Sequence, residues 1–165
     1  MSGMSFIITM SSESVNNELD GILERLKDSK KAFKKIANFL KNKFIDHFDR
    51  RQGQTAKWKE LSPATIKMKK RGGKDAKPLV NTGDLFGSIQ KGKGSIFEAS
   101  VHHAKVGTTI PYAKYHQHPD YPDAPTNSLN EKKKVPKRDF IYVSTKDKEQ
   151  LKAILQKYLT GGTLE

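Results

Sequence analysis

Val15-Asn16-Asn17-Glu18-Leu19-Asp20-Gly21-Ile22-Leu23-Glu24-Arg25-Leu26 opens a run in which apolar residues return every three or four positions. The run continues through Phe33, Ile36, Ala37, Leu40 and Phe44 to Phe48. That period matches a helix carrying one broad apolar stripe. Lys30, Lys31, Lys34, Lys35, Lys41 and Lys43 cover its far side. The stripe is interrupted at Asp28-Ser29-Lys30, so the spacing predicts a helix over 15–48 that divides in two there. A polar patch with Ser11, Ser12 and Ser14 precedes it and suits a helix cap. Phe6-Ile7-Ile8-Thr9-Met10, earlier still, reads as an edge strand.

Downstream of this helix, residues 49–82 are basic and rich in turn formers: Gly53, Pro63, Gly72, Gly73 and Pro78. Ser62-Pro63 is an N-terminal signature, a capping hydroxyl followed by a proline whose missing N–H does no harm in the first turn. It predicts a short helix over 63–70, ended by Arg71-Gly72-Gly73-Lys74. Thr82-Gly83 reads as cap chemistry at a tight turn, followed by a helix over 83–88. Asp84 lies near the positive end of that helix, and Leu85, Phe86 and Ile89 are buried behind it. Ser95 to His102 alternates as a strand does and joins a second run at Lys105-Val106-Gly107. Pro111 opens a single helical turn bearing Tyr112, Tyr115 and His116. Residues 118–134 hold Pro119, Pro122, Pro125 and the Lys132-Lys133-Lys134 run. That loop is longer than compact domains usually accommodate and is expected to be mobile. Phe140-Ile141-Tyr142-Val143 reads as the clearest strand. Ser144 or Thr145 caps a last helix carrying Leu151, Ile154, Leu155, Tyr158 and Leu159, which Gly161-Gly162 stops. The expectation is α+β: a long N-terminal helix and a C-terminal helix packed on a small antiparallel sheet, with long basic loops. A single domain over residues 1–165 is expected, with residues 1–12 as a strand or arm.

Composition narrows the class. At 165 residues the chain supports one modest core, and 35% apolar against 30% charged residues puts much of it at a surface. It has no cysteine, hence no disulfide and no thiolate zinc site. No apolar run approaches the roughly 20 residues a membrane helix needs. Met1 to Met10 lacks the basic start and small-residue cleavage pattern of a signal peptide, so a soluble, non-secreted protein is expected. The net charge is +13, with 18 basic against 9 acidic residues up to Gly83 and 13 against 9 from Asp84 onward. Such an excess attracts polyanions and acidic surfaces. Lysine dominates it, however, without interleaved aromatics or a recognisable nucleic-acid motif.

No catalytic constellation emerges. His102-His103, His116 and His118, with Asp120 and Asp123 nearby, match no zinc spacing, and neighbouring histidines on a strand face opposite ways. There is no Gly-x-Ser-x-Gly elbow, and the serines fall at caps. Gly92-Lys93-Gly94-Ser95 precedes a strand rather than a helix and reads as a turn. No cofactor is expected. Trp58, the single tryptophan, suits a core anchor or an interface hot spot. Pro136 and Arg138 look like a strand-entry turn whose charge pairs with an acidic neighbour.

Four segments in fixed order carry a resemblance. They are Trp58 with Leu61, Thr65 and Lys67; Leu79 with Thr82, Gly83 and Leu85; Tyr112-Ala113 with His116-Gln117; and Val135-Pro136 with Arg138 and Phe140. Preceded by Phe44 and Phe48, they resemble the phage virion morphogenesis family, the tail-completion proteins that include protein S of phage P2 and protein G of phage Mu. The likeness spans residues 44–159. It implies a structural, non-enzymatic protein of a phage or prophage virion, made in the host bacterial cytoplasm and acting in tail completion or head–tail joining. It also implies self-assembly into a ring, docking to neck and tail proteins, and non-specific contact with passing DNA. The competing reading, from charge alone, is a sequence-independent nucleic-acid-binding protein.

Overall fold

A computed structural model describes residues 12–118, 136–162 and 164. The strand expected at Phe6–Met10 and the loop expected over 118–134, His118 apart, lie outside the described residues. The elements are α1 (Ser12–Lys27), α2 (Lys30–Arg50), α3 (Pro63–Arg71), α4 (Asp84–Ile89), β1 (Ser95–Ala99), β2 (Ala104–Thr108), α5 (Ala113–Gln117) and α6 (Thr145–Leu159). This is the α+β class that the sequence implies.

The long apolar run does divide where the stripe falters. Ser29 is buried, and its hydroxyl donates to the carbonyls of Leu26 (2.9 Å) and Arg25 (3.2 Å), closing α1 from within. Such back-bonding competes with the helical ladder and bends the chain away. α2 then continues to Arg51, whose left-handed φ of 52° ends it. Ser62 caps α3 through the Thr65 amide (3.2 Å), with Pro63 in the first turn. Gly83 precedes α4 with φ 91°, a conformation costly for any residue with a Cβ. There Thr82 makes no backbone cap; its hydroxyl donates to the Asp84 carboxylate at 2.6 Å.

β1 and β2 pair antiparallel, with Ser95 opposite Thr108 and Ala99 opposite Ala104. The strand expected to reach His102 stops at Ala99. Ser100 Oγ takes the amides of His102 (3.2 Å) and His103 (3.1 Å) and so turns the chain. α2 and α4 cover this sheet, while α6 packs on α2 and α1. The core gathers Phe44 and Phe48 of α2 with Trp58, Leu85, Ile89, Ala113 and Phe140. Phe48 sits at its centre, edge-on to Trp58 at 5.5 Å and 4.8 Å from the Phe140 ring.

One expected element does not form. Phe140-Ile141-Tyr142-Val143 is not a strand, because it pairs with no neighbouring strand among the described residues. Side chains take its backbone groups instead, as described below. The apolar stripe is also unevenly covered. On α2 it meets the core, whereas on α1 Leu19, Leu23 and Leu26 remain about half exposed.

Candidate functional site

Three of the four motif segments meet through hydrogen bonds at residues 138–141, and the fourth packs Leu85 into the same core. Trp58 Nε1 donates to the Asp139 carbonyl at 2.9 Å. His47, from α2, meets the Phe140 carbonyl through Nδ1 at 3.0 Å, and its ring stacks on Tyr142 with centroids 3.8 Å apart. Because a carbonyl only accepts, Nδ1 carries the hydrogen there. Gln117 acts as a two-sided clamp. Its Oε1 accepts from the amides of Phe140 (2.6 Å) and Ile141 (3.2 Å), and its Nε2 donates to the Ile141 carbonyl (2.7 Å). Asp139 Oδ2 accepts from the Gln54 amide at 3.0 Å. Gly53 passes so close that a Cβ there would collide with Asp139 Oδ1.

Arg138 is buried (6% exposed) and reaches across to the Trp58 segment. Its Nε and Nη2 both donate to the Lys59 carbonyl, at 3.1 and 2.9 Å. Its own amide donates to the His116 carbonyl at 2.9 Å, which ties the Tyr-Ala-His-Gln segment to the Pro-Lys-Arg segment. The sequence suggests an acidic partner for this charge; the structure gives it a backbone carbonyl.

In front of this knot lies an open cleft of about 510 Å³. Leu61, Thr82, Gly83, Tyr112, His116 and Arg138 border it, together with Lys69 of α3. Lys69 is little exposed, and its Nζ donates to the carbonyls of Lys77 (2.8 Å) and Val80, tying α3 to the loop before α4. Burial lowers the pKa of both cations, with Asp75 opposing the shift at Lys69 and Glu60 at Arg138. The His116 imidazole is held down to about 4, first by burial and then by the Arg138 guanidinium. It is therefore neutral near pH 7, and its buried Nδ1 has no hydrogen-bond partner among the described residues. The cleft thus joins two cations that brace backbone to a neutral imidazole and a hydroxyl already bonded to Asp84.

Of the residues singled out by the sequence, Trp58, Leu85, Gln117 and Phe140 lie behind the cleft, in or against the core. Leu61, Thr82, Gly83, Tyr112, His116 and Arg138 border it, and Pro136 is exposed close to Arg138 in sequence. Sequence reasoning does not assign His47, Lys69, Asp139 or Gly53 to the site, although each holds part of the assembly together. His47 is legible in principle: it falls on the α2 stripe between Phe44 and Phe48, where a polar residue needs a buried partner. Among the described residues no three His, Asp or Glu side chains gather in a way that would hold a metal ion.

A search of curated proteins and a search of solved structures each find no match. A family model described as the phage virion morphogenesis family matches residues 10–160, which includes all four motif segments and the elements that carry them. The chain belongs to the phage virion morphogenesis family.

Proposed function

We propose that this virion-assembly protein acts in tail completion or head–tail joining, as a single domain that oligomerises and docks to neck or tail proteins. One observation carries the reading: the Trp58, Tyr-Ala-His-Gln and Pro-Lys-Arg segments direct their polar groups to one another's backbone. Such a knot fixes shape, which a docking part needs, and leaves the cleft rim to meet a partner. Leu61, Thr82, Gly83, Tyr112, His116 and Pro136 form the docking rim, while Trp58, Leu85, Gln117, Arg138 and Phe140 hold it rigid. Repeating one modest contact around a closed ring gives a stable assembly through simultaneous engagement. The protein then resides in the virion, having assembled in the host bacterial cytoplasm without a cofactor. Among the described residues no helix is long and apolar enough to cross a membrane.

Deleting the coding sequence from its phage or prophage tests this. Unjoined heads and tails, or tails lacking a finished end, are expected by electron microscopy, with rescue by the intact gene. Normal infectious particles from the deletion would refute the reading.

A second reading has its own observation. Lys30, Lys31 and Lys34 lie exposed on α2 without ion pairs among the described residues, which suits contact with nucleic-acid phosphates. Binding to a generic duplex, titrated with salt, separates the two. Micromolar affinity at physiological salt with a steep salt slope favours sequence-independent DNA binding; its absence favours assembly alone.

A further inference from the structure

α1 differs from the rest of this basic chain. It carries Glu13, Glu18, Asp20 and Glu24 against Arg25 and Lys27, whereas the whole protein has a net charge of +13. None of those four carboxylates makes an ion pair among the described residues. Leu19, Leu23 and Leu26, spaced four and three apart, form one stripe and are 52%, 53% and 46% exposed. At helical spacing, Asp20 and Glu24 run along one flank of that stripe with Lys27, and Glu18 along the other with Arg25, whose guanidinium is turned to the Leu159 carbonyl.

α3 presents the complement. Ala64, Lys67, Met68 and Arg71 recur at helical spacing and are all exposed, Met68 to 69%. Lys67, Lys70 and Arg71 have no ion pair among the described residues, and α3 contains no acidic residue. α1 is thus net acidic around an exposed leucine stripe, with four carboxylates against Arg25 and Lys27, and α3 is purely basic around Met68.

We propose that the acidic leucine face of α1 seats on the basic Met68 face of α3 in a second copy of this chain. The proposal rests on the assembly reading above and gives it a specific contact. Pairing α1 with α1 would bring like carboxylates together, and pairing α3 with α3 would oppose like cations, so charge selects the mixed contact. Met68 adapts its shape readily to a leucine stripe. Because the two faces differ, one such contact can repeat head-to-tail around a ring, or occur twice in a two-fold dimer in which each α1 meets the other copy's α3; the mass of the unaltered assembly separates the two.

The test uses the full chain and two variants, Leu19→Asp with Leu23→Asp on α1 and Met68→Asp with Arg71→Asp on α3. The altered α1 face has lost its leucine stripe, and the altered α3 face has lost Met68 and keeps only Lys67 and Lys70 against two new carboxylates, so the two do not pair with each other. All four positions are exposed, and circular dichroism should report an unchanged fold. Sedimentation should show concentration-dependent assembly of the unaltered chain that weakens with salt, and each variant alone should associate at least about tenfold more weakly. Mixed one to one, the variants should form a heterodimer and nothing larger, since one intact face remains on each. A mixture that stays monomeric overturns the proposal, as does an unaltered chain that is monomeric at every soluble concentration. An α3 variant that loses duplex binding but assembles normally also overturns it, assigning α3 to DNA instead. If the deletion blocks virion assembly while the mixture stays monomeric, the interface fails and the assembly role stands. If the deletion is harmless while the heterodimer forms, the role fails and the interface stands.

Discussion

Gln117 does for residues 140 and 141 what a neighbouring strand would do in a sheet. Replacing it with Leu keeps its bulk but leaves the amides of Phe140 and Ile141 and one carbonyl without partners in a largely buried place. A loss of about 2–4 kcal/mol is expected in urea unfolding, and a change near zero would show that water takes over the clamp. Gly53→Ala should cost about 1–3 kcal/mol, because the new methyl must displace the Asp139 carboxylate and the Gln54 amide bonded to it. His116 makes stability depend on pH. Its folded value, about 4, lies below the ordinary 6.5, so the unfolded chain takes up the proton first as pH falls. The contribution is complete above 6.5 and is lost progressively toward about 4. That loss is on the order of 1–2 kcal/mol after allowing for partial solvent access. His116→Phe should flatten this part of the profile, measured as the urea midpoint against pH; an unchanged slope would place the titration elsewhere.

Among the elements, α6 has the most complete start. Ser144 Oγ accepts from the Asp147 amide (3.1 Å), the Asp147 carboxylate accepts from the Ser144 amide (3.1 Å), and Lys43 of α2 adds an ion pair at 2.9 Å. Burial alone would raise the Asp147 pKa, but the bonds from Ser144 and Lys43 outweigh it and leave the pKa below the ordinary 3.8. That support is present above this value and disappears as pH falls further. Ser144→Ala should cost about 1–2 kcal/mol in thermal unfolding; a neutral result would mean that Lys43 alone holds the helix end. Caps of this kind are readable in advance, as Ser62-Pro63 and Ser144 show, because the capping residue and the amide it serves are about three positions apart. The break at Ser29 is readable for a different reason: the apolar stripe is interrupted there. Phe140–Val143 is not, since β-branched and aromatic residues report an extended backbone and say nothing of what pairs with it. Its partners, His47, Trp58 and Gln117, lie 23 to 93 positions away and act through side chains. Lys69 is hidden likewise: within a lysine-rich helix, its sequence does not distinguish it from the solvated Lys67 and Lys70.

For the molecule as a whole, coverage is unequal. α2 carries the core and touches both the sheet and α6, whereas α1 packs chiefly on α6, with Arg25 donating to the Leu159 carbonyl at 2.7 Å and Tyr158 to the Asp28 carbonyl at 2.5 Å. In the free protein, α1 amides should therefore exchange with solvent well before those around Phe44 and Phe48, as hydrogen-exchange mass spectrometry would show. Equal protection would mean that the leucine stripe is already covered. The knot around Phe140 has a consequence for synthesis. A chain leaving the ribosome has made its tryptophan and its glutamine clamp before residue 140 emerges, so its centre stays unfinished until that residue is out. Nascent fragments ending at Gln117 would hold an open aromatic cluster that Phe140 has not yet closed, and the core would mature only once that residue has emerged.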